Sequence, residues 1–510
     1  MTRALPAVLG CLCLLLGGCS GVTASPPAPE PSTPPAPQAA SDPAAPLQRY
    51  YDQRVEWQAC QGAYECGTVD VPLDYADPLG PSITLDLLRA RAGNTQARLG
   101  SLVVNPGGPG GSGVDYAARA DAVVSPAVRQ VYDVVGFDPR GVARSEPVEC
   151  MTDAEFDESL NTEDATPDTP QEVQAYLEGT AEFQAGCLAR SADLLGHVGT
   201  ADVARDLDII RAALGDDVLS YLGASYGTSI GAEYAEQFPD RVGRLVLDGA
   251  LDPTLSEREV LLGQAVGFEQ SLAAFAADCV ARGCSVGGTE QQVLDAVSLV
   301  LERSDEAPIP TSTRPLTQIL AVYGIITPLY LPAQQGYPAL EAGLTAALDG
   351  DGSVLLGLAD AYLRRGPDGS FPDNQWDVIQ PVSCLDRPSQ ATVADVQAEL
   401  AQFEEASPRL GATLAWSLLG CSGWPVDASG LTAPVRAAGA APILVVGNTG
   451  DPVTPYAWAQ SLADQLQSGV LLTYRARQHL AYREGSRCVD AAVDAYLIGG
   501  AVPSPGTVCD

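Results

Sequence analysis

Gly223-Ala224-Ser225-Tyr226-Gly227 sets a serine between two glycines, after the apolar run Val218–Leu222 and before a helical run, Thr228–Gln237. On so tight a strand-to-helix turn a serine is held exposed above the sheet, and glycine on either side avoids a clash. Ser225 is therefore the candidate nucleophile. A second stretch, Asn105-Pro106-Gly107-Gly108-Pro109-Gly110-Gly111-Ser112-Gly113, directly follows the apolar run Ser101–Val104. With side chains nearly absent, its backbone N–H groups can face a ligand. A phosphate cradle would want a lysine or a clean GxGxxG register, and neither exists here. The loop suits an oxyanion hole, with the Gly108 N–H as donor, Gly107 as an alternative, and the Tyr226 N–H as its companion.

Serine chemistry needs a base, and the chain has only two histidines, His197 and His479. His197 lies upstream of the serine, before a helix, and suits a surface or capping role. His479 follows the last strand-like run, Val470–Tyr474, and is the candidate base. Asp451 opens Asp451-Pro452-Val453-Thr454-Pro455 just after the apolar run Ile443–Gly447, next to the strand that leads to the histidine. It is the candidate acid, and Asp248, after Leu245–Leu247, is its competitor. In these roles Ser225 attacks a carbonyl, His479 takes and returns the proton, and Asp451 fixes the imidazole tautomer. Thr454 could hydrogen-bond within the Asp451 turn.

Composition removes most rival chemistries. All 28 basic side chains are arginine, so Schiff-base, P-loop and Ser–Lys mechanisms are excluded. A net charge of −36 over 510 residues repels phosphate backbones, so no nucleic-acid partner is expected. No CxxC pair or HExxH run supports a metal site, and the chemistry asks for no cofactor.

The elements that must position these residues alternate. Ile83–Leu87 has the period of a half-exposed antiparallel strand. Ser101–Val104, Tyr132–Phe137, Val218–Gly223, Leu245–Leu247, Ile443–Gly447 and Val470–Tyr474 are short apolar runs, as in strands buried on both faces of a parallel sheet. Between them lie helical patterns such as Ala201–Leu214, for which Thr200 is the expected cap. The rhythm breaks over 251–434, which is mostly helical, and resumes before Ile443. The expected fold is an α/β sheet domain, 47–250 and 435–510, interrupted by a helical insertion.

Residues 1–18 have signal-peptide shape, and Leu16-Gly17-Gly18-Cys19 looks like a lipobox with Cys19 as the lipid-bearing residue. Residues 19–46, rich in Pro and Ala, suit a semi-rigid spacer. No later stretch looks apolar enough to span a membrane. The layout is that of a protein tethered outside the bacterial cytoplasmic membrane, or released from it. Ten cysteines remain for pairing in an oxidising compartment: Cys60, Cys66, Cys150, Cys187, Cys279, Cys284, Cys384, Cys421, Cys488 and Cys509. Spacing suggests that neighbours pair, Cys60 with Cys66 and Cys279 with Cys284, but leaves connectivity open.

The chain also resembles the secreted tripeptidyl aminopeptidases related to proline iminopeptidases, within the α/β-hydrolase fold. The resemblance is carried by Cys66…Val71-Pro72-Leu73-Asp74-Tyr75, Asn105–Gly113, Gly136-Phe137-Asp138-Pro139-Arg140-Gly141, Asp202…Asp206-Leu207-Asp208…Arg211 and Tyr221–Thr228. Further matches are Phe238-Pro239-Asp240-Arg241-Val242, Leu247-Asp248-Gly249, Gly450–Pro455 and Ser486-Arg487-Cys488-Val489-Asp490 through Cys509. It implies a helical cap over the site, short peptides as substrates, cleavage from a free N-terminus, and a triad on Ser225, Asp451 and His479. Gln478 departs from the glycine usual before the histidine. An exopeptidase also needs an anion for the substrate ammonium, for which Glu257, Glu259 and Asp386 are unassigned candidates among 64 acids. The competing readings are an esterase or lipase on the same triad, and a catalytically silent peptide-binding lipoprotein.

Overall fold

The structure is a computed structural model that describes residues 45–510 except Ser429 and Thr432. The expected signal peptide, Cys19 and nearly all of the expected spacer lie outside the described residues.

Ten strands form one sheet: β1 Gln58–Cys60, β2 Tyr64–Pro72, β3 Ser82–Ala90, β4 Gly100–Asn105, β5 Tyr132–Phe137, β6 Leu219–Ala224, β7 Val242–Asp248, β8 Ile443–Asn448, β9 Gly469–Tyr474 and β10 Val508–Cys509. Their order is β1-β2-β3-β5-β4-β6-β7-β8-β9-β10. The pairings β1/β2, β2/β3 and β3/β5 are antiparallel and the rest are parallel. Exposure decides which strands alternate. β3 varies along its length between buried and more open positions, whereas β4, β5 and β8 are buried throughout because helices cover both faces. The two faces carry separate apolar cores, one around Val103, Leu207 and Tyr221, the other around Leu102, Leu222 and Val493.

One buried ion pair fixes the Asp138–Gly141 turn after β5. Arg140 donates to both Asp206 oxygens, at 2.7 and 2.6 Å, and to the carbonyls of Pro72, Leu73 and His197. Asp206 lies on the helix Thr200–Leu214, so this guanidinium joins a strand end, a loop and a helix. Thr200 is not the cap of that helix. Gly199 holds the cap position, and the Thr200 hydroxyl donates instead to Asp386 Oδ2 at 2.5 Å.

The insertion is helical, centred on Glu257–Arg282, whose Phe268, Leu272 and Phe275 enter an apolar core of its own. By length and apolar composition this helix could cross a membrane, contrary to the sequence expectation. Its apolar residues are used to pack the cap. Two helices from the first sheet segment, Asp153–Thr162 and Pro170–Leu195, also contribute to the cap cores, through Leu160 and through Tyr176 and Leu177. The ten cysteines pair as Cys60–Cys66, Cys150–Cys187, Cys279–Cys284, Cys384–Cys421 and Cys488–Cys509.

Candidate active site

The parallel strands end side by side, Asn105 beside Gly223 and Ala224 beside Asp248, so the loops that follow them converge. Ser225 sits on the turn after β6 with φ +55°, a left-handed conformation rare for a residue with a side chain. Its N–H donates to the Asp248 carbonyl at 2.8 Å, and its carbonyl accepts from the Thr228 N–H at 2.8 Å and the Thr228 hydroxyl at 2.7 Å. These bonds hold the strained turn. The glycines are required by contact: a Cβ on Gly223 would stand 2.4 Å from the Gly227 carbonyl oxygen, and one on Gly227 would stand 2.9 Å from Asn105 Oδ1.

The glycine-rich loop presses against this turn. A Cβ on Gly107 would lie 2.5 Å from the Ala224 oxygen and 2.8 Å from the Tyr226 nitrogen. The Gly107 N–H is already used, donating to Asn105 Oδ1 at 2.9 Å. The Gly108 and Tyr226 N–H groups have no partner among the described residues. That difference favours Gly108 over Gly107 as the loop's donor.

Asp451 and His479 meet. The His479 Nδ1 lies 3.1 Å from each Asp451 oxygen. Asp451 Oδ1 also accepts from the Val453 and Thr454 N–H groups at 2.9 Å, and Oδ2 from the Thr454 hydroxyl at 2.8 Å. Thr454 therefore does bond within the Asp451 turn. Burial disfavours the imidazolium, but the Asp451 charge and hydrogen bond outweigh it, so the His479 pKa is raised above its ordinary 6.5. Asp248 does not touch the ring. Its carboxylate accepts the Ala481 N–H at 3.2 Å and the Tyr482 N–H at 2.9 Å, pinning the loop just beyond the histidine. Burial pushes it up to about 7.

Gln478 replaces flexibility with bracing. Its side chain is buried and donates to the Leu480 and Glu484 carbonyls at 2.7 and 3.1 Å, while Asn448 Nδ2 holds its backbone oxygen at 3.0 Å. From the cap, the Tyr330 carbonyl accepts the His479 N–H at 3.1 Å, and the Tyr330 ring stands edge-on to the imidazole at 5.5 Å. The sequence offered no signal for this cap contact or for the Asp248 role, both of which are set by tertiary packing. His197 contributes its carbonyl to Arg140.

None of the three acids suggested for an ammonium is free. Glu257 accepts from Arg387 at 3.1 Å, and Glu259 caps its own helix at Ser256. Asp386 is buried and accepts from the Thr200 N–H and hydroxyl. Burial pushes its pKa up to about 6. The Thr200 hydroxyl in turn lies 2.5 Å from the Tyr226 hydroxyl.

A mostly parallel sheet with helices on both faces and a serine on the turn after a central strand is the α/β-hydrolase fold. The α/β-hydrolase family profile matches residues 100–316, and a profile described as TAP-like protein matches 407–509. The serine protease Hip1 of Mycobacterium tuberculosis is 39% identical over 90% of this chain and 91% of its own. Carboxylesterase B of the same species is 37% identical over 87% of this chain and 86% of its own. A tripeptidyl aminopeptidase of Streptomyces lividans is 31% identical over 89% and 86%. Among solved structures, a proline iminopeptidase of Mycobacterium smegmatis is 18% identical with a TM-score of 0.37, covering 84% of this chain and 97% of that one. The chain belongs to the TAP-like family of α/β-hydrolases and is a serine peptidase.

Proposed function

We propose that the protein is an exported serine exopeptidase that releases short peptides, tripeptides by the example of its Streptomyces relative, from free N-termini. The observation that carries this reading is the His479 imidazole gripped through Nδ1 by Asp451, which leaves Nε2 for a hydroxyl proton. Ser225 Oγ attacks the scissile carbonyl as His479 Nε2 takes its proton, and the developing oxyanion is held by the Gly108 and Tyr226 N–H groups. Collapse expels the amine, which receives that proton from His479, and leaves an acyl-enzyme on Ser225. Water, deprotonated by His479, then releases the short peptide and regenerates the serine.

Export with lipid attachment at Cys19 is part of the same reading, supported by the shape of residues 1–46 and by the five cysteine pairs. Detergent-phase partitioning of the wild type but not of Cys19→Ala would support the anchor, and equal partitioning would reject it. The relative named carboxylesterase B favours an esterase as the second reading. A tripeptide p-nitroanilide, its N-blocked form and a p-nitrophenyl ester separate the two. Preference for the free-amine peptide supports the exopeptidase, and equal turnover of free and blocked peptide rejects it. Absence of turnover and of Ser225-dependent fluorophosphonate labelling in the wild type would leave only a silent peptide-binding protein.

A further inference from the structure

We propose that Asp386, acting through Thr200, is the positioning residue that aims the Tyr226 N–H at the oxyanion. The assignment rests on the reading of Ser225 as nucleophile and of the Tyr226 N–H as an oxyanion donor.

Three buried groups form a chain that ends on the residue after Ser225. Asp386 Oδ1 accepts the Thr200 N–H at 2.9 Å, Asp386 Oδ2 accepts the Thr200 hydroxyl at 2.5 Å, and the Thr200 hydroxyl oxygen lies 2.5 Å from the Tyr226 hydroxyl. Asp386, Thr200 and Tyr226 are 1%, 0% and 6% exposed, so these bonds are shielded from water. Above its pKa of about 6, Asp386 is a carboxylate that only accepts, and it takes the one Thr200 hydroxyl proton. Tyr226 must then donate to Thr200. The chain has one direction, and it tethers the phenol at its far end.

Tyr226 needs such a tether. It follows the strained Ser225, whose φ is +55°, and stands at the start of the helix Gly227–Gln237 with no partner for its own N–H among the described residues. Its side chain turns about only two torsions, so fixing the hydroxyl limits how far the Ser225–Tyr226 peptide can rotate. The start of the helix Thr200–Leu214 would be served by the Thr200 N–H bond alone. The relay through the hydroxyl exceeds that need.

The anchor belongs to the helix Gln375–Asp386, whose Val378, Val382 and Leu385 share the sheet-side core with the Tyr226 ring. The first turn of this helix lies against the other half of the hole. A Cβ on Gly110 would stand 2.9 Å from the Gln375 Cα and 3.1 Å from the Val378 Cβ. One helix of the insertion therefore abuts the glycine-rich loop at its start and holds Tyr226 at its end.

The test separates this relay from packing. Thr200→Val keeps the shape and the N–H bond to Asp386 but removes the relay, whereas Thr200→Ser keeps the relay and loses the methyl. These two, Tyr226→Phe, Asp386→Asn, the double variant Asp386→Asn with Tyr226→Phe, and Ser225→Ala are compared with wild type. Each is assayed on a tripeptide p-nitroanilide and a p-nitrophenyl ester, with thermal melting as the check on folding. A misplacement of about 1 Å costs about 10² in rate, and outright loss of a donor about 10²–10³. Thr200→Val, Tyr226→Phe and Asp386→Asn should therefore each lower kcat about 10- to 100-fold on both substrates, with KM within about twofold. Thr200→Ser should stay within about threefold of wild type, and the double variant should lose no more than its singles because both cut one chain. Wild-type kcat in a folded Thr200→Val or Tyr226→Phe, a loss in Thr200→Ser as large as in Thr200→Val, or losses that multiply in the double variant would overturn the assignment. Undiminished turnover in Ser225→Ala would instead overturn the nucleophile reading beneath it.

Discussion

Asp451→Asn gives the sharpest test of how the base is held. Asp451 accepts from four donors: the Val453 and Thr454 N–H groups on Oδ1, the Thr454 hydroxyl on Oδ2, and His479 Nδ1 shared between both oxygens. An asparagine has one accepting oxygen. The two backbone N–H groups cannot turn away, so they keep that oxygen and the amide NH2 takes the Oδ2 position. Thr454 can rotate its hydroxyl to accept, but His479 Nδ1 can then only accept as well. The imidazole proton moves to Nε2, where it blocks removal of a proton from Ser225. The comparable change in another Ser-His-Asp enzyme costs about 10⁴ in kcat, equivalent to roughly 5.5 kcal/mol. We expect a loss of about 10³–10⁴ in kcat on both ester and peptide, with KM nearly unchanged.

The pH profile reads the same contact. Asp451 lifts the His479 pKa above 6.5 against burial, so wild-type activity should rise with pH at a midpoint above that value. Without the carboxylate, burial prevails and the residual activity should have a lower midpoint. The linkage to stability has the matching sign. A folded-state pKa above the unfolded one stabilises the protein fully below about pH 6.5, and this contribution fades as pH rises through the folded-state value. The assay is kcat against pH from 5 to 9, with urea unfolding at the ends of the range. Activity within tenfold of wild type and an unmoved midpoint in Asp451→Asn would refute the reasoning. So would an equally large loss in Asp248→Asn, where only positioning of the loop at Ala481 and Tyr482 is weakened and about tenfold is expected.

Further expectations concern the frame around these groups. Gly107→Ala would force a methyl against the Ala224 oxygen and the Tyr226 nitrogen at a φ of +89°, so fluorophosphonate labelling should fall at least 100-fold, and normal labelling would contradict that packing. Gln478→Ala leaves the Leu480 and Glu484 carbonyls without their donor and should cost about 1–3 kcal/mol, measured by urea unfolding. Replacing Cys384 and Cys421 by serine opens a 37-residue link and should lower stability by about 2–4 kcal/mol, with the melting temperature as readout.

Much of the site was legible in the sequence because local rules fix it. The Ser225 turn carries its own signature in Gly223 and Gly227, and both glycines meet backbone or Asn105 atoms as such a turn demands. Asp451 and His479 were separable from their rivals because neighbouring strand ends bring them together and leave Asp248 bonded to backbone. Other features depend on distant packing and leave no local mark. Thr200 looks like a helix cap, but Asp386, far along the chain, takes its hydroxyl. The sequence pattern places the cap between 251 and 434, yet the helices around Leu160 and Tyr176 pack with it, because amphipathic helices do not announce which core they join.

The hydrogen bond from the His479 N–H to the Tyr330 carbonyl ties the cap to the histidine loop through main chain alone. Because it uses backbone on both sides, side-chain substitution alone cannot remove it. Replacing the Tyr330 side chain should therefore leave this joint in place. A graft that exchanges the cap should keep the Thr327–Tyr330 turn, since its Tyr330 carbonyl accepts the His479 N–H. Heat that loosens the cap should likewise silence the base before the sheet begins to unfold.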